Sequence, residues 1–195
     1  ISADSMQIYR YMHIGTAKPT LAEQTAVFHH MVDIVDPDEQ FDAADFAAKA
    51  RSVIAALCEK DVFPFVVGGT GFYIKALLHG LFRARPADQK ILIRLKEEAI
   101  QFGSSALHSR LKEIDSDAAH KIHCNDTFRI VRALETFEST GKKISKYQKE
   151  HNFRDNLFDV LKIGLAVDRN RLYERINKRV DLMLESGFAD EVKNL

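Results

Sequence analysis

The stretch Val62-Phe63-Pro64-Phe65-Val66-Val67-Gly68-Gly69-Thr70-Gly71-Phe72-Tyr73 decides how this chain is read. A short continuous apolar run, a glycine turn and an apolar pattern of helical period over residues 72–81 predict strand, turn and helix in that order. Such a turn sets backbone N–H groups at a helix N-terminus, where an anion can bind. The glycines also have a purely steric reading, since glycine lets one backbone pass where a Cβ would not fit. Thr70, at the helix start, either caps the helix or touches a ligand.

Working outward, residues 43–60 form an amphipathic pattern with Phe46, Ala50, Val53, Ile54 and Leu57 on one face and Asp42 as N-cap. Residues 30–35 and 158–167 read as two further strands. Between them residues 88–150 look wholly helical, with helices predicted over 91–102, 106–114 and 127–140. The last of these is capped by Asn125 or Asp126 in front and Gly141 behind. A final helix over 170–186 starts at Asp168, stops at Gly187 and carries Leu172, Ile176, Val180 and Met183 as a buried stripe. The expected fold is therefore α/β, with a parallel sheet in a core over 1–87, a helical insertion over 88–156 and a return to the core over 157–195.

The chain has 195 residues, 46% hydrophobic and 29% charged, which suits a globular protein. Its 28 basic and 28 acidic side chains cancel, but unevenly. Residues 1–82 hold 6 basic and 10 acidic groups and residues 83–195 hold 22 and 18, so the second part is the better polyanion surface. Cys58 and Cys124 lie far apart, which excludes a disulfide framework or cysteine zinc site and fits a reducing, cytoplasmic setting. The longest apolar run, near 62–67, falls far short of the roughly 20 residues a membrane helix needs. The chain opens on Ile1-Ser2-Ala3-Asp4 without a methionine, like a strand end entering a loop, and is expected to be a fragment.

Asp4 follows that strand end, where ligands bind in α/β sheets, and could be a general base, a metal ligand or a loop cap. Arg129 and Arg132 share one helix face and suit phosphate, although pairing with Glu135 or Glu138 would serve them equally. The adjoining residues 141–154 tilt the reading toward an RNA backbone: Lys142, Lys143, Lys146, Lys149 and Arg154 oppose only Glu150, with Tyr147 among them. Arg171, Arg175 and Arg179 recur at every fourth position, a repulsive row better explained by an anionic ligand than by helix stability. The eight histidines form no metal set: His29 and His30 are adjacent, and His120 with His123 lacks a third ligand.

Taken together, residues 2–10, Ile14-Gly15-Thr16-Ala17-Lys18-Pro19-Thr20, His29-His30 with Asp33-Ile34, Ala44-Asp45-Phe46 and 67–73 closely resemble the tRNA dimethylallyltransferase (IPP transferase) family. The likeness continues through Ile122-His123, Asn125-Asp126, residues 129–135 and Arg171-Leu172-Tyr173-Glu174-Arg175-Ile176 with Arg179, so it spans nearly the whole chain. It implies a P-loop NTPase-like core, Mg²⁺, and transfer of the dimethylallyl group of dimethylallyl diphosphate to N6 of the adenosine next to the anticodon. It further implies Asp4, Thr70 and Arg179 as catalytic residues, Asp4 being the base. The adenosine pocket would be lined by Ser5, Met6 and Gln7. Arg175 and Arg179 would bind diphosphate, and Phe128, Arg129, Ile130, Val131 and Arg132 would contact the anticodon stem-loop of tRNA.

The family's G-P-T-A-S-G-K-[ST] P-loop would precede Ile1 and hold the Mg²⁺, so no metal ligand is expected within the 195 residues. Its anticodon-arm segment would follow Leu195, and the stretch alone is expected to be inactive, cytoplasmic, monomeric and without membrane contact. Tyr11 stands where the family commonly has glycine, His13 where it has aspartate and Phe28 where it has proline. Rival readings are an adenylate (cytokinin-type) isopentenyltransferase, a P-loop small-molecule kinase and a non-catalytic RNA-binding module.

Overall fold

The computed structural model describes residues 1–82 and 88–195. The predicted boundary between residues 87 and 88 borders the remaining five positions and lies outside the described residues on that side. Ten helices are described: α1 (Leu21–Ala26), α2 (Ala43–Cys58), α3 (Gly71–His79), α4 (Gln89–Phe102), α5 (Ser104–Ile114), α6 (Ser116–Lys121), α7 (Thr127–Thr140), α8 (Ile144–His151), α9 (Arg169–Glu185) and α10 (Phe188–Lys193). Backbone contacts divide the chain into one unit of Ile1–Gly80 with Asp155–Leu195 and a second of Leu81–Arg154.

The α/β expectation with a parallel sheet is corrected by the structure. Among the described residues there is no sheet, only two isolated parallel bridges, Ser2 with Val67 and Tyr9 with Val35. A ladder needs several consecutive pairs, and these segments break too soon. Residues 5–8 turn soon after the first bridge, Pro64 brings no N–H, and Met31 (φ +66°) and Asp33 (φ +55°) leave the extended region inside the second predicted strand. Residues 158–167, the third, form no regular element, and Leu161, Ile163 and Leu165 are exposed.

In the first unit the core gathers Ala3, Ile8, Phe46, Ala50, Ile54, Ala76 and Leu77. Helix α2 starts where Asp42 accepts from the N–H groups of Ala44 and Asp45 while Asp45 reciprocates, a complete capping box. It packs on α3 through Phe46, whose ring stacks on Tyr73 at 4.4 Å, and through Arg51 Nη2, which donates to Ala76 O at 2.9 Å. Helix α9 begins at its Asp168 cap, but the stripe predicted to be buried is not. Leu172, Ile176 and Val180 are exposed and only Met183 is half-buried.

The second unit is a helical cluster built on Leu95, Leu107, Leu111, Ile130, Leu134 and Ile144. Asp126 caps α7 and Gly141, at φ +70°, ends it in the left-handed geometry glycine tolerates. Arg94 and Arg110 each bridge Glu98 and Glu138, tying α4, α5 and α7 on the surface. Buried Asp115 serves two helices: Oδ1 accepts from Ala118 N–H at the start of α6, and Oδ2 from Ser145 N–H at 3.0 Å at the start of α8, where Lys143 offers no side-chain cap. No helix among the described residues is long and apolar enough to cross a membrane.

Candidate functional site

Residues 64 and 67 positions apart meet where the two extended segments end. Ala3 N–H donates to Val67 O at 2.8 Å and Thr70 N–H returns to Ala3 O at 3.1 Å. Such proximity requires glycine at 68, since a Cβ there would sit 2.3 Å from Ala3 O. At Gly69 and Gly71 a Cβ would meet nothing within 4 Å, so the steric reading of the glycine turn applies to one position only.

Beyond that crossing, Thr70 does not cap α3. Its hydroxyl accepts from Ser5 N–H at 2.9 Å and donates to Ser5 Oγ at 3.2 Å, fixing the two loops to each other. Half-buried Asp4 accepts from Met6 N–H at 2.8 Å and Gln7 N–H at 3.3 Å, both through Oδ1. Among the described residues Oδ2 accepts nothing. The carboxylate is therefore held as a loop cap by one oxygen while the other keeps its lone pairs for an N–H or a proton. Met6 is half-exposed, and Gln7 is held by Ser2 Oγ and by the carbonyls of Thr16 and Ala17.

Beside Gln7 opens a cleft of about 510 Å³ lined by Lys18, Pro19, Glu23, Val27 and His29 among others. Lys18 is buried to the side-chain tip and bonds Tyr9 O and Asp33 Oδ1, joining the first loop to the residue 31–35 turn. Burial pushes the Tyr73 phenol up to about 12, with the charges of Tyr9, Asp42, Asp45 and Asp4 adding to it, so it stays neutral.

The arginines divide into paired and open groups. Arg175 and Arg179 lie exposed one turn apart on α9. Among the described residues neither guanidinium makes an ion pair or hydrogen bond, and no such contact joins them to Asp4 or Thr70. In the second unit Phe128 is exposed at the first turn of α7. Beside it Arg129 is exposed and pairs with Asp126 at 2.9 Å. Arg132 pairs with buried Glu135. Ile130 and Val131, expected at a tRNA surface, are instead buried in this unit's core, because their helix face packs inward. In the basic segment Lys142 pairs with Glu150 and Lys149 with Asp117, while the Lys143 and Lys146 side chains carry no ion pair among the described residues.

A model of the IPP transferase family matches residues 7–195. The chain belongs to the IPP transferase family. Among curated relatives of that family, the tRNA dimethylallyltransferase of Desulfosudis oleivorans is 56% identical over the whole chain, which spans 62% of its length. The solved full-length tRNA isopentenylpyrophosphate transferase of Bacillus halodurans is 42% identical, with TM-score 0.62, over all of this chain and 60% of that one. A solved eukaryotic dimethylallyltransferase acting on tRNA is 31% identical, with TM-score 0.82, over 99% of this chain and 48% of its own. The chain thus spans about 60% of the length of the curated relatives it matches.

No group of three or more His, Cys, Asp or Glu among the described residues is arranged to hold a metal ion, so Mg²⁺ has no fitted ligand set here. Two residues that tie down the loops following Asp4 escaped sequence reading. Lys18 lies within a quoted motif and could have been found there. Glu191 could not, because its partners are backbone N–H groups of residues 13–15, 176 to 178 positions away.

Proposed function

We propose that the protein is a tRNA-modifying prenyltransferase that moves the dimethylallyl group of dimethylallyl diphosphate onto N6 of the adenosine adjacent to the anticodon. The observation that carries this reading is the Asp4 carboxylate, tied down at Oδ1 and open at Oδ2, beside the Ser5–Thr70 pair in a chain of this family. Adenine N6 is a poor nucleophile because its lone pair is delocalised into the ring. Asp4 Oδ2 accepts the N6–H bond and then its proton as N6 bonds to the allylic carbon, whose bond to oxygen breaks and releases diphosphate. Arg175 and Arg179, unpaired among the described residues, suit that leaving group as its charge grows.

The target base must leave the stacked anticodon loop to reach Asp4, as in other enzymes that act on nucleobases. Phe128 and Arg129 at the start of α7, with Lys143 and Lys146, would grip the stem-loop; the exposed ring suits stacking and the cations suit phosphate. Mg²⁺ would accompany the diphosphate, on ligands outside the described groups. The same reading has a monomer working in the cytoplasm, and both cysteines are free thiols.

Incubating the full-length protein with labelled dimethylallyl diphosphate, Mg²⁺ and either unmodified tRNA or AMP tests this. Label is expected on tRNA; label on AMP alone would instead indicate an adenylate isopentenyltransferase.

A further inference from the structure

Three consecutive backbone N–H groups converge on one carboxylate: Glu191 Oε2 accepts from His13 at 2.7 Å and Ile14 at 2.8 Å, and Oε1 accepts from Gly15 at 3.0 Å. Both sides of the contact lie in the unit of Ile1–Gly80 with Asp155–Leu195. The loop's own turn is closed by Ala17 N–H to Ile14 O and Lys18 N–H to His13 O, which leaves those three donors for an outside acceptor. Phe188 completes the contact from the same short helix, since a Cβ on Gly15 would lie 2.4 Å from its ring.

The other end of this loop bonds Gln7. Thr16 O and Ala17 O take the two bonds of Gln7 Nε2, at 3.3 and 3.1 Å, and Ser2 Oγ donates to Gln7 Oε1 at 3.0 Å. Both N–H groups of the Gln7 amide are committed, and these two of its three bonds go to a loop with Glu191 at its other end. Gln7 N–H is in turn one of the two groups that cap Asp4.

We propose that Glu191 is a positioning residue for the prenyl-transfer site: by anchoring residues 13–15 it sets where the Gln7 amide points beside Asp4. The role of Gln7 rests on the functional reading above, whereas the anchoring does not. A glutamine at 191 keeps the shape and one acceptor oxygen, but it loses the charge and sets an NH₂ against at least one of the three donors, so the anchor is weakened.

The test uses the full-length protein with Glu191→Gln, Gln7→Ala and the double variant. A second lesion, Gly15→Ala, pushes the loop off Phe188 with Glu191 intact and carries the test should Glu191→Gln not fold. The amides of residues 13–15 should exchange at least roughly tenfold faster in Glu191→Gln and in Gly15→Ala, and the Gln7 side-chain NH₂ resonance should move toward that of a free glutamine. The kcat on tRNA should fall by roughly ten- to a hundredfold in Glu191→Gln, as for a misplaced positioning group. The double variant should be no slower than Gln7→Ala alone, because both act through one amide. Unchanged exchange, or losses that multiply in the double variant, would overturn the proposal. Should the wild-type protein transfer nothing to tRNA, the functional reading fails, and the exchange rates with the Gln7 resonance decide the anchoring by themselves.

Discussion

Gly68→Ala should damage this protein far more than alanine at either neighbouring glycine. The added Cβ would lie 2.3 Å from Ala3 O, 2.4 Å from Ala3 C and 2.9 Å from Ala3 Cα, all backbone atoms that no rotamer change can move aside. Ordinary contact begins near 3.4 Å, so the two segments must part by about 1 Å. The Ala3 N–H to Val67 O bond at 2.8 Å and the Thr70 N–H to Ala3 O bond at 3.1 Å would then exceed hydrogen-bonding range. Two such bonds contribute about 1 kcal/mol each, and forced overpacking adds about 1–3 kcal/mol. The expected loss is about 3–5 kcal/mol, read as a fall in urea midpoint at constant m-value. Gly69→Ala, with open space around its Cβ, should stay within about 1 kcal/mol of wild type. Transfer activity should fall with Gly68→Ala even where the protein remains folded, since the same separation pulls Ser5 from Thr70. Equal midpoints for the two variants would refute the close-approach argument.

Asp115→Ala strands two buried backbone donors, Ala118 and Ser145, and should cost about 2–4 kcal/mol in the same titration. Asp117→Ala, at an exposed ion pair, should leave the midpoint near wild type. Tyr11 holds φ +66°, so Tyr11→Gly should stabilise by about 1 kcal/mol while Tyr11→Ala should not, by thermal unfolding. Burial raises the Glu191 carboxyl, but donation from the N–H groups of Gly15, Ile14 and His13 outweighs it and holds the group below its ordinary 4.5. A carboxyl depressed on folding stabilises above its unfolded value and stops doing so as pH falls through the folded one. The stability gap between wild type and Glu191→Gln, followed by denaturant titration across pH, should therefore be full above 4.5 and shrink below it. A gap that widened toward acid would contradict that sign.

Helix starts and stops were legible because capping is local. Asp42, Asp126 and Asp168 each sit within three residues of the N–H groups they accept, and Gly141 needs only its own φ. The sheet was misread because strand pairing is decided elsewhere in the chain. An apolar run at 62–67 reads the same whether it finds several partners or, as here, a single bridged residue, and nothing in 30–35 announces the positive φ of Met31 and Asp33. Apolar periodicity on α9 located a stripe correctly but could not say whether anything covers it. At α7 it was the resemblance that assigned Ile130 and Val131 to tRNA contact, whereas helical phase turns them into the core and leaves Phe128 and Arg129 outside. The meeting of Asp4, Ser5 and Thr70 across 65 positions was reachable only through resemblance, for no local pattern encodes it.

The central claim is that the open oxygen of Asp4 receives the proton from adenosine N6. Single-turnover transfer of labelled dimethylallyl to unmodified tRNA, with wild type and Asp4→Ala full-length protein and tRNA affinity measured alongside, addresses it most directly. The rate should fall by roughly 10²–10⁴ with affinity nearly intact. An unchanged rate would remove Asp4 from the role of base.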